Sequence, residues 1–325
     1  MEPDALPLVD VAPLLDPAAT AQERARVGRA VDAACRDTGF LVVTGHGVDP
    51  ALRDDLERLA RQFFALPDAV KAEIAMPRGG LAWRGWFPVG GELTSGRPDR
   101  KEGVYFGTEL PPGDPRPLHG PNLFPAEPAG LADVVLRWLA QVGALGQAVL
   151  RGVALGLGLD EGWFARHLTA DPTVLFRVFR YPPGDTASWG VGEHTDYGLV
   201  TLLAQDAHGG LQVRRGDRWV DVPADPYAFV VNIGDMLERM TRGAYRSTPH
   251  RVRNLSGADR LSFPLFLDPS WDATVTPLPA SARDLPDDPG GRWDGRSVHA
   301  WDGAYGDYLT AKVARVFPDL AASLP

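Results

Sequence analysis

Near residue 174 the hydrophobic period of the chain changes, and that change decides what its two parts can fold into. Upstream, Val135, Leu139, Val142, Leu145, Val149 and Val153 recur at helical spacing and lay an apolar stripe along one long helix. Downstream, VLFRVFRYPP, LVTLLAQD, GLQVRRGDRWVDVP, AFVVNIGD and RLSFPLFLDP are short β-branched or aromatic runs separated by turn residues. Several such runs in succession predict an antiparallel sandwich or barrel, with RRGDR as a hairpin tip. Residues 277 to 297 read as loop, and AYGDYLTAKVARVF as a closing helix.

The N-terminal part is mixed α and β. Thr20 with Glu23 forms a capping-box pattern ahead of Val27, Val31 and Cys35, which predicts a helix over 21–36. GFLVVTGHGV reads as a buried strand ending in a glycine turn, and Asp49 with Pro50 starts the helix ALRDDLERLARQFFALP. Residues 76 to 128 are dense in Gly and Pro and are expected to form long loops over a scaffold. The organisation expected is an α/β region over 1–125 packed on a core, then a long helix, the β core and the closing helix over 126–325, together one compact unit.

Composition narrows the function. Apolar residues make up 44% and charged residues 23%, so the chain can bury an ordinary globular core. A net charge of −9 without a Lys/Arg block argues against a nucleic-acid partner and leaves a small molecule as the expected one. Cys35 is the only cysteine, which excludes an internal disulfide and suits a reducing compartment. The acidic N-terminus lacks the pattern of a signal peptide, and no uninterrupted apolar run approaches the ~18 residues that cross a bilayer. A cytoplasmic location without membrane partners is expected; nothing in the sequence specifies an oligomeric state. GxGxxG, P-loop, GxSxG and HExxH patterns are absent.

The chemistry lies in GEHTDYGLVTLLAQD. An HxD pair alone arises by chance in a chain this long, but residues two apart on a strand share a face, so His194 and Asp196 could chelate one ion. His250, 54 residues after Asp196 in STPHRV, is a third ligand if strand pairing returns it to the same place. Two histidines and a carboxylate make the facial triad of non-haem Fe(II) oxygenases, which leaves three coordination positions open. Ten residues past His250, Arg260 and Ser262 form another pair on one strand face. A buried arginine there has two explanations: a bound ligand's carboxylate, or an Asp or Glu of the protein.

In this order and spacing, GEHTDYGLVTLLAQD, GGLQV, VNIGDMLERMTRGAYRSTPHRV and RLSFPLFLDP resemble the C-terminal half of 2-oxoglutarate/Fe(II) dioxygenases of the isopenicillin N synthase-like superfamily. GFLVVTGHGV, ALRDDLERLARQFFALP and GELTSGRPDRKEGVYFG resemble its N-terminal and connecting segments. The resemblance implies a double-stranded β-helix (jelly roll) core with flanking helices. It further implies that His194, Asp196 and His250 hold Fe(II), and that Arg260, Ser262 and Tyr181 hold the distal carboxylate of 2-oxoglutarate; read alone, Tyr181 is equally an ordinary strand aromatic. Plant-type members carry an asparagine two residues before that tyrosine. Phe179 stands here instead, which puts one polar contact to the cosubstrate in question; Arg177 and Arg180 flank it, and either one of them supplies the contact or they are solvated.

The activity implied is oxidation of an unactivated C–H bond of a small organic molecule by dioxygen, through hydroxylation, desaturation or cyclisation, with succinate and carbon dioxide as coproducts. One alternative is an iron oxidase of the same fold that uses no 2-oxoglutarate, with Arg260 and Ser262 gripping a substrate carboxylate. Another is a jelly roll that binds metal or ligand without turnover. Tyr197, Arg84, Trp86 and Phe87 are candidates to line the substrate chamber. Asn232 is a candidate to orient the site from behind, or else a cap of its own turn. His46 and His208 are read as structural turn residues, and Glu193 as facing away from His194.

Overall fold

The structure is a computed structural model and describes residues 5–184, 189–278, 295, 297–318 and 322. In chain order the N-terminal part contains β1 (Leu8–Asp10), α1 (Ala12–Leu15), α2 (Ala21–Asp37), β2 (Phe40–Thr44), α3 (Pro50–Phe64), α4 (Asp68–Lys71), β3 (Gly85–Phe87) and β4 (Glu102–Gly107). Then follow α5 (Leu131–Gly156), α6 (Trp163–His167), β5 (Pro172–Tyr181), β6 (Val191–His194), β7 (Val200–Gln205), β8 (Leu211–Arg215), β9 (Arg218–Asp221) and β10 (Phe229–Ile233). The chain closes with α7 (Asp235–Met240), β11 (His250–Val252), β12 (Arg260–Ser270) and α8 (Tyr305–Val316).

The strands form two sheets. The larger has eight strands in the order β1-β2-β10-β7-β12-β5-β4-β3, and the smaller has four in the order β6-β11-β8-β9. Every pairing is antiparallel except β1 with β2. Alternate residues of β5, β7 and β12 from the large sheet face those of β6, β8 and β11 from the small one, and the cavity lies between them. This is the jelly-roll core with flanking helices.

The helices form where local chemistry predicts. Thr20 and Glu23 complete a reciprocal capping box at the start of α2, and Asp49 accepts from the Ala51 N–H at the start of α3. α5 is long and apolar enough to cross a membrane by length and composition, but half of that stretch is buried against the rest of the protein. It packs on α2 where Gly28 meets Gly156. A Cβ on Gly28 would come within 2.6 Å of the Leu155 Cβ, and one on Gly156 within 2.7 Å of the Gly28 carbonyl oxygen, so any larger residue would push the helices apart. On its other side Gly146 rests on Leu202 of β7 and Leu267 of β12.

Two expectations are corrected. Residues 76 to 128 are not loop throughout: β3 and β4 extend the large sheet from β5, and all six residues of β4 are buried. Asp196 does not share a strand with His194, because β6 ends at His194 and Asp196 lies in the turn that follows. The loop expected over 277 to 297 falls mostly outside the described residues.

Candidate active site

β6 and β11 run antiparallel with His194 directly opposite His250. Their ring centroids are 4.2 Å apart, and Nε2 of each lies 3.7 Å from Oδ1 of Asp196. Donor atoms bound to one ion at ~2.1 Å are about 3 to 4 Å from one another, a spacing these three side chains match. Among the described residues these three side chains are the group of metal-donating side chains that converges, with donor atoms within 4.8 Å of each other.

Hydrogen bonds around the three residues aim the donor atoms. Nδ1 of His194 is 2.8 Å from the Gly192 carbonyl oxygen, and Nδ1 of His250 is 3.2 Å from that of Thr248. A carbonyl only accepts, so each ring carries a proton on Nδ1 and turns Nε2 toward Asp196. Burial, and then the neighbouring His250, push His194 down to about 4, so its imidazole is neutral near pH 7. Burial by itself would raise the Asp196 carboxyl. The two histidines and hydrogen bonds from Asn232 and Thr201 outweigh that and hold it below the ordinary aspartate value. Asn232 Nδ2 donates to Oδ2 of Asp196 at 2.7 Å and Thr201 Oγ1 donates to the same oxygen, which leaves Oδ1 turned toward the histidines.

The turn holding Asp196 is fixed by its backbone. The Asp235 N–H donates to the Asp196 carbonyl at 2.8 Å and the Met236 N–H to that of Gly198 at 3.0 Å, which ties the turn to the start of α7. A Cβ on Gly198 would lie 1.5 Å from Oδ1 of Asp268, so the close approach of the turn to β12 requires glycine.

Arg260 and Ser262, alternate residues of β12, face the same cavity as Tyr181 of β5, whose register partner is Arg260. The guanidinium of Arg260 is completely buried. Nη2 donates to Oε1 of Gln205 at 3.1 Å, Nε donates to the His208 carbonyl at 3.3 Å, and Nη1 has no partner. Among the described residues no protein carboxylate pairs with it. Its central carbon stands 4.9 Å from the Tyr181 ring centroid, and Ser262 Oγ donates to the Tyr181 hydroxyl at 3.3 Å. A buried cation with an open N–H, beside two hydroxyls, suits an incoming carboxylate.

Of the chamber candidates, only Tyr197 lines the cavity. Arg84, Trp86 and Phe87 do not, and the reason is the strand pairing that sequence reading took for a loop. β3 sits at the outer edge of the large sheet, beyond β4. The Trp86 indole N–H turns to the Glu102 carboxylate at 2.9 Å, and Arg84 Nη2 donates to the Leu118 carbonyl at 2.7 Å. Phe87 stands edge-on to Phe179, and it is the Phe179 ring that forms the wall. Glu193 pairs with Arg214, His46 with the Tyr227 carbonyl and His208 with Asp206.

Several wall residues were not singled out in the sequence. Glu92, Thr94 and Lys101 come from the segment expected to be loop and Asp268 from β12; Leu309, Val313, Val316 and Phe317 come from α8 and its end, and Arg177, noted beside Phe179, from β5. Lys101, 1% exposed, is held by Glu92 and Asp99. Isolated charges between glycines and prolines look solvated in a sequence, and only the fold shows that they meet.

Residues 6–127 match the family model described as non-haem dioxygenase in morphine synthesis N-terminal, and residues 172–269 match that of the 2OG-Fe(II) oxygenase superfamily. The chain is 41% identical over 346 residues to a probable iron/ascorbate oxidoreductase of Dictyostelium discoideum, across 97% of this chain and 95% of the relative. It is 33% identical over 359 residues to a 1-aminocyclopropane-1-carboxylate oxidase of Dictyostelium mucoroides, again across 97% and 95%. Its structure is similar to that of a full-length Neurospora crassa protein crystallised in complex with alpha-KG, with a TM-score of 0.79 and 26% identity over 97% of this chain and 98% of that one. The chain therefore belongs to the 2OG-Fe(II) oxygenase superfamily, as a 2-oxoglutarate-dependent non-haem iron oxygenase built on a jelly-roll core.

Proposed function

We propose that the protein oxidises an unactivated C–H bond of a small organic molecule, by hydroxylation, desaturation or ring closure, using Fe(II), 2-oxoglutarate and dioxygen at the site between the two sheets. In this reading Nε2 of His194, Nε2 of His250 and Oδ1 of Asp196 hold the iron. Two imidazole nitrogens and one carboxylate oxygen are a donor set that suits that ion. Arg260, with Ser262 and the Tyr181 hydroxyl, holds the distal carboxylate of 2-oxoglutarate.

When bound, iron and 2-oxoglutarate supply an oxidant strong enough to break a C–H bond, with succinate and carbon dioxide as coproducts. The protein's own part is positional. Asn232 and Thr201 keep one Asp196 oxygen engaged so that the other stays on the metal side. Gln205 and the His208 carbonyl hold the Arg260 fork in place before the cosubstrate arrives. Apolar walls from β12 and α8 keep bulk water away from the reacting bond.

The observation that carries the reading is that one cavity holds both a convergent three-donor cluster and a buried arginine without a counter-ion among the described residues. An anaerobic Fe(II) titration tests it: a visible charge-transfer band should form only when metal and 2-oxoglutarate are both present. Substrate oxidation without succinate release would instead give Arg260 to a substrate carboxylate. Absence of the band and of turnover would leave a passive binder.

A further inference from the structure

One cation in the cavity has no role in the reading above. β5 turns Leu175, Arg177, Phe179 and Tyr181 toward the cavity, alternate residues on one face. Tyr181 is the register partner of Arg260 and Phe179 that of Ser262. Arg177 lies four residues before Tyr181, which is ~13 Å along a strand rising ~3.3 Å per residue. Arg177 thus stands toward the opposite end of this row from Tyr181, the residue read as holding the distal carboxylate of 2-oxoglutarate with Arg260. That end of the row is the part of the cavity we take as the substrate's.

Its surroundings hold the guanidinium in place without using its donors. Its central carbon is 4.1 Å from the Tyr105 ring centroid and 4.8 Å from that of Phe266. Nε is buried without a partner, and the guanidinium makes no hydrogen bond to any described residue. Among the described residues its ion pair is with Oε1 of Glu92, at 3.6 Å. That carboxylate is already claimed: Oε1 accepts from the Tyr105 hydroxyl at 2.7 Å, and Oε2 lies 2.9 Å from Lys101 Nζ. The neighbouring cations differ. Arg180 is engaged by Glu102 and Asp259, and Lys101 by Glu92 and Asp99.

A half-buried cation with idle N–H donors is costly unless something completes it. A planar fork held between two rings is matched to a flat, two-oxygen acceptor. We propose that Arg177 is the specificity-determining residue of this enzyme and that its substrate is a small carboxylic acid. The substrate's carboxylate docks on Arg177 while its hydrocarbon part lies against Leu309, Val313, Val316 and Phe317 of the α8 wall. The proposal rests on the preceding reading, in which Arg260 is occupied by 2-oxoglutarate.

The test is anaerobic calorimetric titration of the Fe(II) enzyme, saturated with 2-oxoglutarate, with a panel of aliphatic, aryl and amino-acid monocarboxylates and their matched primary amides. Carboxylates should bind the wild-type complex at least tenfold more tightly than their amides. Arg177→Gln should erase that preference while 2-oxoglutarate affinity stays within twofold, and Arg177→Lys should restore part of it. Arg260→Gln should do the reverse, weakening 2-oxoglutarate first. If Arg177→Gln does not fold, the carboxylate-to-amide comparison on the wild type decides alone. Equal or tighter binding of amides, no binding by any panel member, or a preference that survives Arg177→Gln overturns the proposal. A wild-type enzyme that binds the carboxylates but not 2-oxoglutarate removes the cosubstrate reading and this one with it.

Discussion

His250 stands directly across the β6–β11 ladder from His194, so two residues 56 apart in sequence become one pair of nitrogen donors. Replacing His250 with Ala removes half of that pair. Fe(II) affinity should fall by at least ~100-fold, beyond what loss of a supporting contact costs, and iron-dependent turnover should vanish. Equilibrium dialysis with Fe(II) checks the first, and succinate release the second. A His250→Ala enzyme with full activity would take this residue out of the ligand set.

In the proposed reading Asn232 acts on the iron through its hydrogen bond to Asp196. Asn232→Ala deletes a 2.7 Å hydrogen bond but leaves the Thr201 hydroxyl on the same oxygen. The expected cost is about 10-fold in Fe(II) affinity, at the lower end of the range for residues that orient a ligand. The double variant with Thr201→Val should lose roughly another 10-fold. Unchanged iron affinity in the double variant would show that the Asp196 carboxylate needs neither contact.

Arg260→Ala should weaken 2-oxoglutarate binding by ~2 to 4 kcal/mol, the cost of a charge-assisted pair in a buried site. Gln205→Leu leaves the guanidinium in place but removes the acceptor that fixes Nη2. Its effect should be smaller, ~1 kcal/mol. Calorimetric titration of 2-oxoglutarate into the anaerobic Fe(II) enzyme measures both. A larger loss in Gln205→Leu than in Arg260→Ala would contradict the assigned roles.

Asp268 gives stability a pH dependence of unusual sign. Burial pushes its carboxyl up to about 7, the Asp196 charge adds to this, and the Tyr305 hydroxyl hydrogen bond opposes it. An unfolded aspartate titrates near ~3.9. Between those values the folded chain binds more protons than the unfolded one, so the stability contributed is fully present below pH ~4 and is lost as pH rises toward ~7. Urea unfolding of the metal-free protein across that window should show the decline, and Asp268→Asn should flatten it. An equal slope in the variant would assign the effect to another group.

The sequence made the β core legible because β5, β7, β10 and β12 carry apolar runs that turn residues punctuate. It also made the convergence of His194, Asp196 and His250 legible, since they sit at or just beyond strand ends where a polar residue in an apolar context stands out. β4 was not legible. Gly103 breaks its apolar pattern because the rings of Phe87 and Phe179 press on that position, and buried Glu102 is neutralised by Lys71 and Arg180, contributed from other elements. The same blind spot misplaced Arg84, Trp86 and Phe87: a strand rich in Gly and charge, satisfied only by distant partners, has no local signature. Arg177 was visible as a charge beside Phe179, but whether it met solvent, a carboxylate or a cavity depended on pairings across the sheet.

Phe40 of β2 stands edge-on to the His250 imidazole, with ring centroids 5.4 Å apart. A residue from the first eighth of the chain thus braces a side chain translated some two hundred residues later. Chimeras that exchange N-terminal segments between relatives would therefore change what packs against His250 along with the graft, so the N-terminal region and the His194–Asp196–His250 cluster are not separable modules in this architecture.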